Sequence, residues 1–156
     1  MDSFNKVIVL DDSFADAHYH LGFIYESILN YEKALYHYKQ AKRYQSLFQD
    51  LDFRYGTLLY NLNYHQEAIN PFKDYLLANG ENAEILIMLG DIYYTQSRYG
   101  ESIEVYSKLL LDFSEDLLYK TRLADSFYEL NAYNDAIEMY KEILINSPDT
   151  NKKQKF

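Results

Sequence analysis

Apolar positions recur along this chain at two spacings. Within one stretch, Leu21, Ile24, Tyr25 and Ile28 are related by three- and four-residue steps, which match one face of a helix. Over a longer distance, a large residue followed by a small one returns at a constant interval, as Leu21-Gly22, Tyr55-Gly56, Leu89-Gly90 and Leu123-Ala124. A fixed period of this length is typical of a protein built from stacked helical units.

A second small residue follows each of these pairs after twelve residues, and an aromatic residue follows four residues later. The small places are Ala34, Ala68, Ser102 and Ala136, and the aromatic places are Tyr38, Phe72, Tyr106 and Tyr140. Two helices approach closely only where their side chains are small. We therefore interpret the two small places as the contact within a helical hairpin, and we predict that each hairpin stacks on its neighbours.

At these places the chain resembles the tetratricopeptide repeat family, whose 34-residue pattern sets Leu-Gly, Tyr, Ala, Phe and Ala at fixed positions. In the first repeat they fall on Leu21-Gly22, Tyr25, Ala34, Tyr38 and Ala41. The resemblance implies an all-α fold, a right-handed superhelical solenoid of antiparallel helix pairs with four full repeats and an N-terminal half repeat. The expected segments are 1–14 for the second half of an incomplete repeat, 15–48, 49–82, 83–116 and 117–150 for repeats one to four, and 151–156 for a disordered basic tail.

Local signals mark the ends of the expected helices. Asn63, Ser97 and Asn131 occupy the turn between the two helices of repeats two to four, where such residues tolerate a left-handed backbone. Asn82 stands just ahead of the first helix of repeat three, and Ser114 just ahead of the first helix of repeat four. We expect their side chains to cap the free amides there.

Pro71 lies inside the expected second helix of repeat two. A proline at this position removes one backbone hydrogen bond and bends the helix. We expect a tolerated kink on an outward surface, and the alternative is a bend that shapes a partner site.

The composition excludes several classes of partner. The formal net charge is −9 and the pI is about 4.8, which argues against nucleic acid and against an anionic membrane surface. The sequence has no run of about 18 apolar residues, so we expect no direct membrane insertion. Cysteine is absent, which leaves the compartment open, with a soluble, cytoplasmic location as the expectation.

The sequence offers no candidate for catalysis. His18 and His20 are two residues apart and cannot chelate a metal from one helix face as an i, i+4 pair would. His65 stands where Tyr31, Tyr99 and Tyr133 stand in the other repeats, so we interpret it as a packing substitute. No phosphate-binding loop or nucleophile motif is present. We therefore expect no enzyme activity, no catalytic residue, no cofactor and no metal.

The resemblance to the tetratricopeptide repeat family implies a binding surface, because the first helix of each repeat lines the concave groove in that family. The fifth, ninth and twelfth places of each repeat become the expected peptide-binding residues. They are Tyr19, Phe23, Glu26, Phe53, Thr57, Tyr60, Ile87, Asp91, Tyr94, Thr121, Asp125 and Tyr128. Such a groove is aromatic with acidic points and suits a peptide with apolar anchors and basic residues. Tyr60, Tyr94 and Tyr128 occupy a place where the family often has Tyr, so a structural role for them stays open.

The leading hypothesis is a non-catalytic protein–protein interaction scaffold that binds a partner protein or peptide in the concave groove. One alternative is a self-association module that assembles through exposed terminal helices. Another is the docking region of a larger multidomain protein. The half repeat at the start, in which Phe4 precedes Tyr38 by one full repeat period, favours a piece of a longer protein.

Overall fold

The computed structural model describes residues 2–11 and 13–146, so Pro148 and the expected tail at 151–156 lie outside the described residues. The described residues form nine α-helices and no strand. The helices are α1 (Asp2–Leu10), α2 (Ala15–Ser27), α3 (Tyr31–Arg43), α4 (Leu51–Asn61), α5 (His65–Asn79), α6 (Ala83–Thr95), α7 (Tyr99–Asp112), α8 (Leu117–Glu129) and α9 (Tyr133–Asn146). This confirms the predicted all-α helical-repeat architecture.

The chain divides into two compact units, Met1–Glu81 and Asn82–Phe156. In the first unit, α2 packs on α3 and α4 packs on α5, while α1 packs on α2. In the second unit, α6 packs on α7 and α8 packs on α9. In the described part of the chain, no helix combines the length and the apolar character needed to cross a bilayer.

Each hairpin turns at a residue in the left-handed backbone region. In repeats two to four these residues are Asn63, Ser97 and Asn131, with φ between 58° and 64°, which confirms the prediction. The following amide closes a six-residue loop, as when Tyr64 N donates to the carbonyl oxygen of Leu59 at 2.9 Å. This is the Schellman ending of a helix. Repeat one uses the same ending with Leu29 at φ 61°, although nothing in its side chain favours that conformation.

One of the two predicted helix caps is confirmed and the other is wrong. Asn82 Oδ1 accepts a hydrogen bond from Ile85 N at 3.1 Å and caps α6. The cap of α8 is Asp116, whose Oδ1 accepts from Tyr119 N at 3.0 Å. Ser114 cannot take this role because a cap must directly precede the first helical residue, and α8 begins at Leu117.

The glycine at the small place of the first helix faces an aromatic ring in repeats one, two and three. A Cβ added at Gly22 would lie 2.6 Å from Cδ1 of Tyr38, and one added at Gly56 would lie 2.7 Å from the ring of Phe72. The nearest neighbour of the glycine is therefore the ring of the second helix. We had expected the two small places to face each other, but the side chain nearest to Gly22 is Tyr38, while Ala34 is fully buried.

Pro71 does not lie on an outward surface, as we had expected. It is buried together with Ala68, Ile69 and Phe72, and α5 continues through it from His65 to Asn79. Burial is possible because the proline ring is apolar and has no N–H donor that must find a partner.

Candidate functional site

The twelve predicted binding residues all lie on the first helix of their repeats, and they differ in exposure. Phe23 of α2 and Tyr128 of α8 are the most open, with 44% and 55% of their surface exposed. Tyr19 is 8% exposed, so it offers little surface to a ligand. The other nine are half-buried, namely Glu26, Phe53, Thr57, Tyr60, Ile87, Asp91, Tyr94, Thr121 and Asp125.

In the second unit, the carboxylates of this face accept hydrogen bonds from tyrosine hydroxyls. Tyr140 of α9 donates to Asp125 Oδ1 at 2.6 Å, and Tyr94 donates to the other oxygen at 3.0 Å. Tyr106 of α7 donates to Asp91 Oδ1 at 3.1 Å. Each carboxylate on the first helix is therefore held in place by the hydroxyl of a tyrosine on the second helix of the same repeat.

These contacts keep the tyrosines in their neutral, hydrogen-donating form. The hydrogen bond to Asp125, together with burial, raises the pKa of Tyr140 to about 12. Burial and then the hydrogen bond to Asp125 raise the pKa of Tyr94. Burial and the charge of Asp91 raise the pKa of Tyr106 well above its ordinary value. The donors consequently persist throughout the physiological pH range.

In the first unit, tyrosine hydroxyls also donate to carboxylates, but from different places in the repeat. Place nine of repeat one holds Phe23, and Tyr38 donates instead to Glu26 Oε2 at 2.6 Å. Tyr19 donates to both oxygens of Asp50, at 2.8 and 2.9 Å. Burial acts to raise the pKa of Asp50, but hydrogen bonds from Arg54 and Tyr19 outweigh it and hold that pKa below its usual value.

Repeat two lacks this pairing. Phe72 stands at the place of Tyr38 and has no hydroxyl, and place nine holds Thr57 in place of a carboxylate. In the described part of the chain, the buried Oγ1 of Thr57 finds no hydrogen-bond partner. The tyrosine–carboxylate contact is thus a feature of repeats one, three and four.

Two arginines on this face were missed by the sequence analysis. Arg54 of α4 stacks on Phe23, with its guanidinium carbon 4.8 Å from the ring centroid, and its Nε lies 2.6 Å from Asp50. Arg122 of α8 stacks on Tyr94 at 4.1 Å. Both occupy the sixth place of their repeats, in repeats two and four, and this shared place was the available signal. They add positive charge to a face that we had expected to be only aromatic and acidic.

The twelfth-place tyrosines also pack against the start of the second helix. Tyr94 meets Tyr99 at 6.0 Å and Tyr128 meets Tyr133 at 5.6 Å, both edge to face. Tyr60 stacks on His65 at 5.2 Å, so His65 takes the place of a tyrosine in this packing, as predicted. These rings therefore have a structural role, and Tyr128 exposes the remainder of its surface.

A second contact missed by the sequence analysis joins two histidines. Nδ1 of the buried His18 lies 2.9 Å from Nδ1 of His37, and the ring of His37 stacks on Tyr25 at 5.3 Å. Burial, followed by the charges of His18 and Lys33, lowers the pKa of His37 to about 4. Across the described residues, no group of three or more metal-ligating side chains forms.

The architecture and this surface define an all-α helical-repeat protein with a mixed aromatic and charged face on its first helices. A family model described as tetratricopeptide repeat matches residues 53–116 and 88–151, which together span more than half of the chain. The chain belongs to the tetratricopeptide repeat family. Proteins of this family are generally non-catalytic scaffolds for protein–protein interaction.

Solved structures share this fold at low sequence identity. YrrB, a TPR protein with an unusual peptide-binding site, matches with a TM-score of 0.70 and 20% identity over 94% of this chain and 75% of its own. MamA AMB-1 matches with a TM-score of 0.72 and 14% identity, over 99% of this chain and 90% of its own. MamA from Desulfovibrio magneticus RS-1 matches with a TM-score of 0.62 and 14% identity, over 98% of this chain and 84% of its own. No curated protein matches the chain.

Proposed function

We propose that the first helices of the repeats bind a segment of a partner protein, and that the chain has no catalysis of its own. The observation that supports this proposal is the pairing of exposed aromatic rings with fixed carboxylates on the same face. Phe23 lies one helical turn before Glu26 on α2, and Tyr128 lies one turn after Asp125 on α8. A partner with apolar anchors and basic residues matches both features.

The carboxylates keep capacity for a ligand. An ionised carboxylate offers about four lone-pair sites. Asp125 uses one oxygen for Tyr140 and the other for Tyr94, so further sites can accept from an ammonium or a guanidinium group. Because the tyrosines already orient the carboxylate, a bound cation gains hydrogen bonds without the cost of ordering that side chain.

The exposed rings supply the apolar part of the interaction. Aromatic residues are enriched in the buried centres of interfaces because they bury a large area at low cost in side-chain entropy. Phe23 is held from one side by Arg54, which leaves its other side for a partner. The net charge of −9 adds long-range attraction for a basic partner and speeds its association.

A selection of random peptides displayed on phage tests this proposal, followed by fluorescence anisotropy with the enriched peptides. We expect enrichment of Lys or Arg together with Leu or Phe. The affinity of the best peptide should fall about tenfold or more, equivalent to about 1.4 kcal/mol, in a Phe23→Ser/Tyr128→Ser double variant. Leu77→Ser is the control, because Leu77 is 89% exposed and lies on the second helix α5.

Two results would contradict the proposal. One is enrichment of acidic peptides, since these would be repelled by the carboxylates of the face. The other is an affinity that falls equally in the double variant and in the Leu77→Ser control, since binding would then not depend on the first helices.

Self-association is a second candidate function, supported by the exposed apolar residues of α9. Ile137 is 49% exposed, Leu144 62% and Ile145 74%. Sedimentation velocity over a wide concentration range tests it. A mass that rises above 18.6 kDa with concentration, and stays constant in an Ile145→Glu variant, supports assembly through this helix. A constant mass of the native protein excludes it. Use as the docking region of a larger protein, and a cytoplasmic location, stay predictions.

A further inference from the structure

A solvent-open cavity of about 370 Å³ lies in the second unit, and none of the twelve predicted binding residues lines it. Leu110 of α7, Leu123 of α8 and Met139 of α9 supply its apolar lining, while Lys120 of α8 and Glu142 of α9 supply charge. Its volume falls within the range of about 300–1,000 Å³ that is usual for ligand pockets. Five of the eight described residues that line it are polar, so the site can hydrogen-bond a charged ligand as well as pack against an apolar part.

Lys120 is a buried cation with incomplete hydrogen bonding. Its side chain is 9% exposed, and Nζ lies 3.7 Å from Glu115 Oε2 and 3.8 Å from Glu142 Oε2. Both distances exceed the usual range of about 2.7–3.2 Å for an N–H···O hydrogen bond. Among the described residues, the ammonium group therefore has ion pairs but no direct hydrogen bond. Its three N–H donors are therefore open to water or to a ligand.

In the first unit, the side chains at the equivalent repeat places bond to one another. There, Lys42 Nζ donates directly to Asp52 and, at 2.8 Å, to Asp74. In the second unit the lysine place holds leucine and the first aspartate place holds lysine, and the ion pairs of this lysine are too long for a direct hydrogen bond. The counterparts of Lys42, Asp52 and Asp74, each two repeats later, are Leu110, Lys120 and Glu142.

We propose that this cavity binds a free α-amino acid with an apolar side chain. The carboxylate of the amino acid accepts hydrogen bonds from Lys120 Nζ, and its ammonium group donates to Glu142. Its side chain packs on the apolar lining. A zwitterion fits because the site combines one ammonium with the carboxylates of Glu142 and Glu115. A simple anion would be repelled by these carboxylates, and a simple cation would be repelled by Lys120.

Isothermal titration calorimetry of the full chain with L-leucine tests this site. We expect saturable binding of L-leucine. N-acetyl-L-leucine, which lacks the ammonium group, and L-leucinamide, which lacks the carboxylate, should each bind about tenfold more weakly or worse. Lys120→Met should weaken leucine binding at least as much as the loss of either charged group from the ligand. Lys42→Met, at the matched place of the first unit, should leave the affinity for leucine unchanged.

Circular dichroism shows whether Lys120→Met folds. A second variant tests the site independently of that result. Glu142→Gln changes a side chain that is 52% exposed, so it should fold normally and still weaken leucine binding. The absence of saturable leucine binding to the native chain would overturn the proposal. Equal affinity for L-leucine and L-leucinamide, or unchanged affinity in folded Lys120→Met or in Glu142→Gln, would overturn it as well.

Discussion

The hydroxyl of Tyr140 on α9 donates a hydrogen bond of 2.6 Å to Asp125 on α8. The same relationship joins Tyr106 to Asp91 one repeat earlier, at 3.1 Å and with the same separation of fifteen residues. In both cases the tyrosine ring belongs to the packing of the second helix, and the carboxylate lies on the face proposed to bind a partner. Packing of the hairpin and orientation of the proposed binding face therefore depend on the same contact.

Replacement of Tyr140 by phenylalanine removes this hydrogen bond and keeps the ring. We expect the free energy of unfolding to fall by about 1–2 kcal/mol, because Asp125 loses a charge-assisted bond at a half-buried position. Urea denaturation measures the change. Tyr128→Phe is the control, since Tyr128 is 55% exposed and its loss of a hydroxyl should change stability by less than about 0.5 kcal/mol. Equal effects of the two substitutions would show that the Tyr140 contact contributes nothing.

Gly22 and Gly100 should respond to alanine in opposite directions. A Cβ at Gly22 would lie 2.6 Å from the ring of Tyr38, so Gly22→Ala should lower stability by about 1–3 kcal/mol through overpacking. A Cβ at Gly100 would meet nothing within 4 Å, and Gly100→Ala in α7 should raise stability by about 0.5–1 kcal/mol. Thermal unfolding followed by circular dichroism compares them. A stable Gly22→Ala protein would mean that the Tyr38 ring moves aside easily.

Leu29 occupies a backbone conformation that suits asparagine better. Its φ is 61°, and an L-residue other than Gly, Asn or Asp loses about 1–2 kcal/mol in the left-handed region. Leu29→Asn should therefore raise the free energy of unfolding by about 0.5–1 kcal/mol, since Leu29 is 69% exposed and little packing is lost. Leu47→Asn, at a 91% exposed position without positive φ, should have no comparable effect. A loss of stability in Leu29→Asn would contradict this account of the turn.

The His18–His37 contact should make the first unit sensitive to mild acid. The pKa of His37 is about 4 in the folded chain and about 6.5 when unfolded, so between these values the unfolded chain binds more protons. The free energy of unfolding should fall as pH drops from about 6.5 to about 4, and this group should add no further loss below that. Because His37 is half exposed, we expect about 1–2 kcal/mol after allowance for solvent screening.

Stability measured against pH in two variants tests this prediction. His37→Gln should flatten the loss between about pH 6.5 and 4, since the titrating group is gone. His65→Gln should keep the loss, because it leaves the titrating His37 in place. A native slope that persists unchanged in His37→Gln would assign the acid sensitivity to other groups.

Much of the fold follows from the repeat register alone. The register places Asn63, Ser97 and Asn131 at equivalent turns, and all three adopt positive φ. The same register places Leu29 at this turn in repeat one, 34 residues before Asn63, although a leucine side chain gives no local signal for positive φ. The Ser114 prediction departed from this register, since the place equivalent to the Asn82 cap, 34 residues later, is Asp116.

The site was less predictable because its contacts depend on three-dimensional distances between helices. The register placed Tyr19 on the predicted binding face but could not show that its hydroxyl reaches Asp50 and that its ring is buried. The Tyr140–Asp125 contact was readable in principle, since Asp at place nine occurs with Tyr fifteen residues later in repeats three and four. The His18–His37 contact carries no such signal, because it occurs once.

Chemical-shift mapping of the native chain with the best selected basic peptide shows which helices the peptide contacts. We predict that the backbone amide signals that shift on peptide addition lie on the first helices, around Phe23 and Glu26 of α2 or Asp125 and Tyr128 of α8. We also predict that Asp125→Asn weakens binding to the second unit, because it removes the charge and keeps a hydrogen-bond acceptor. Shifts confined to the second helices α3, α5, α7 and α9 would contradict the account.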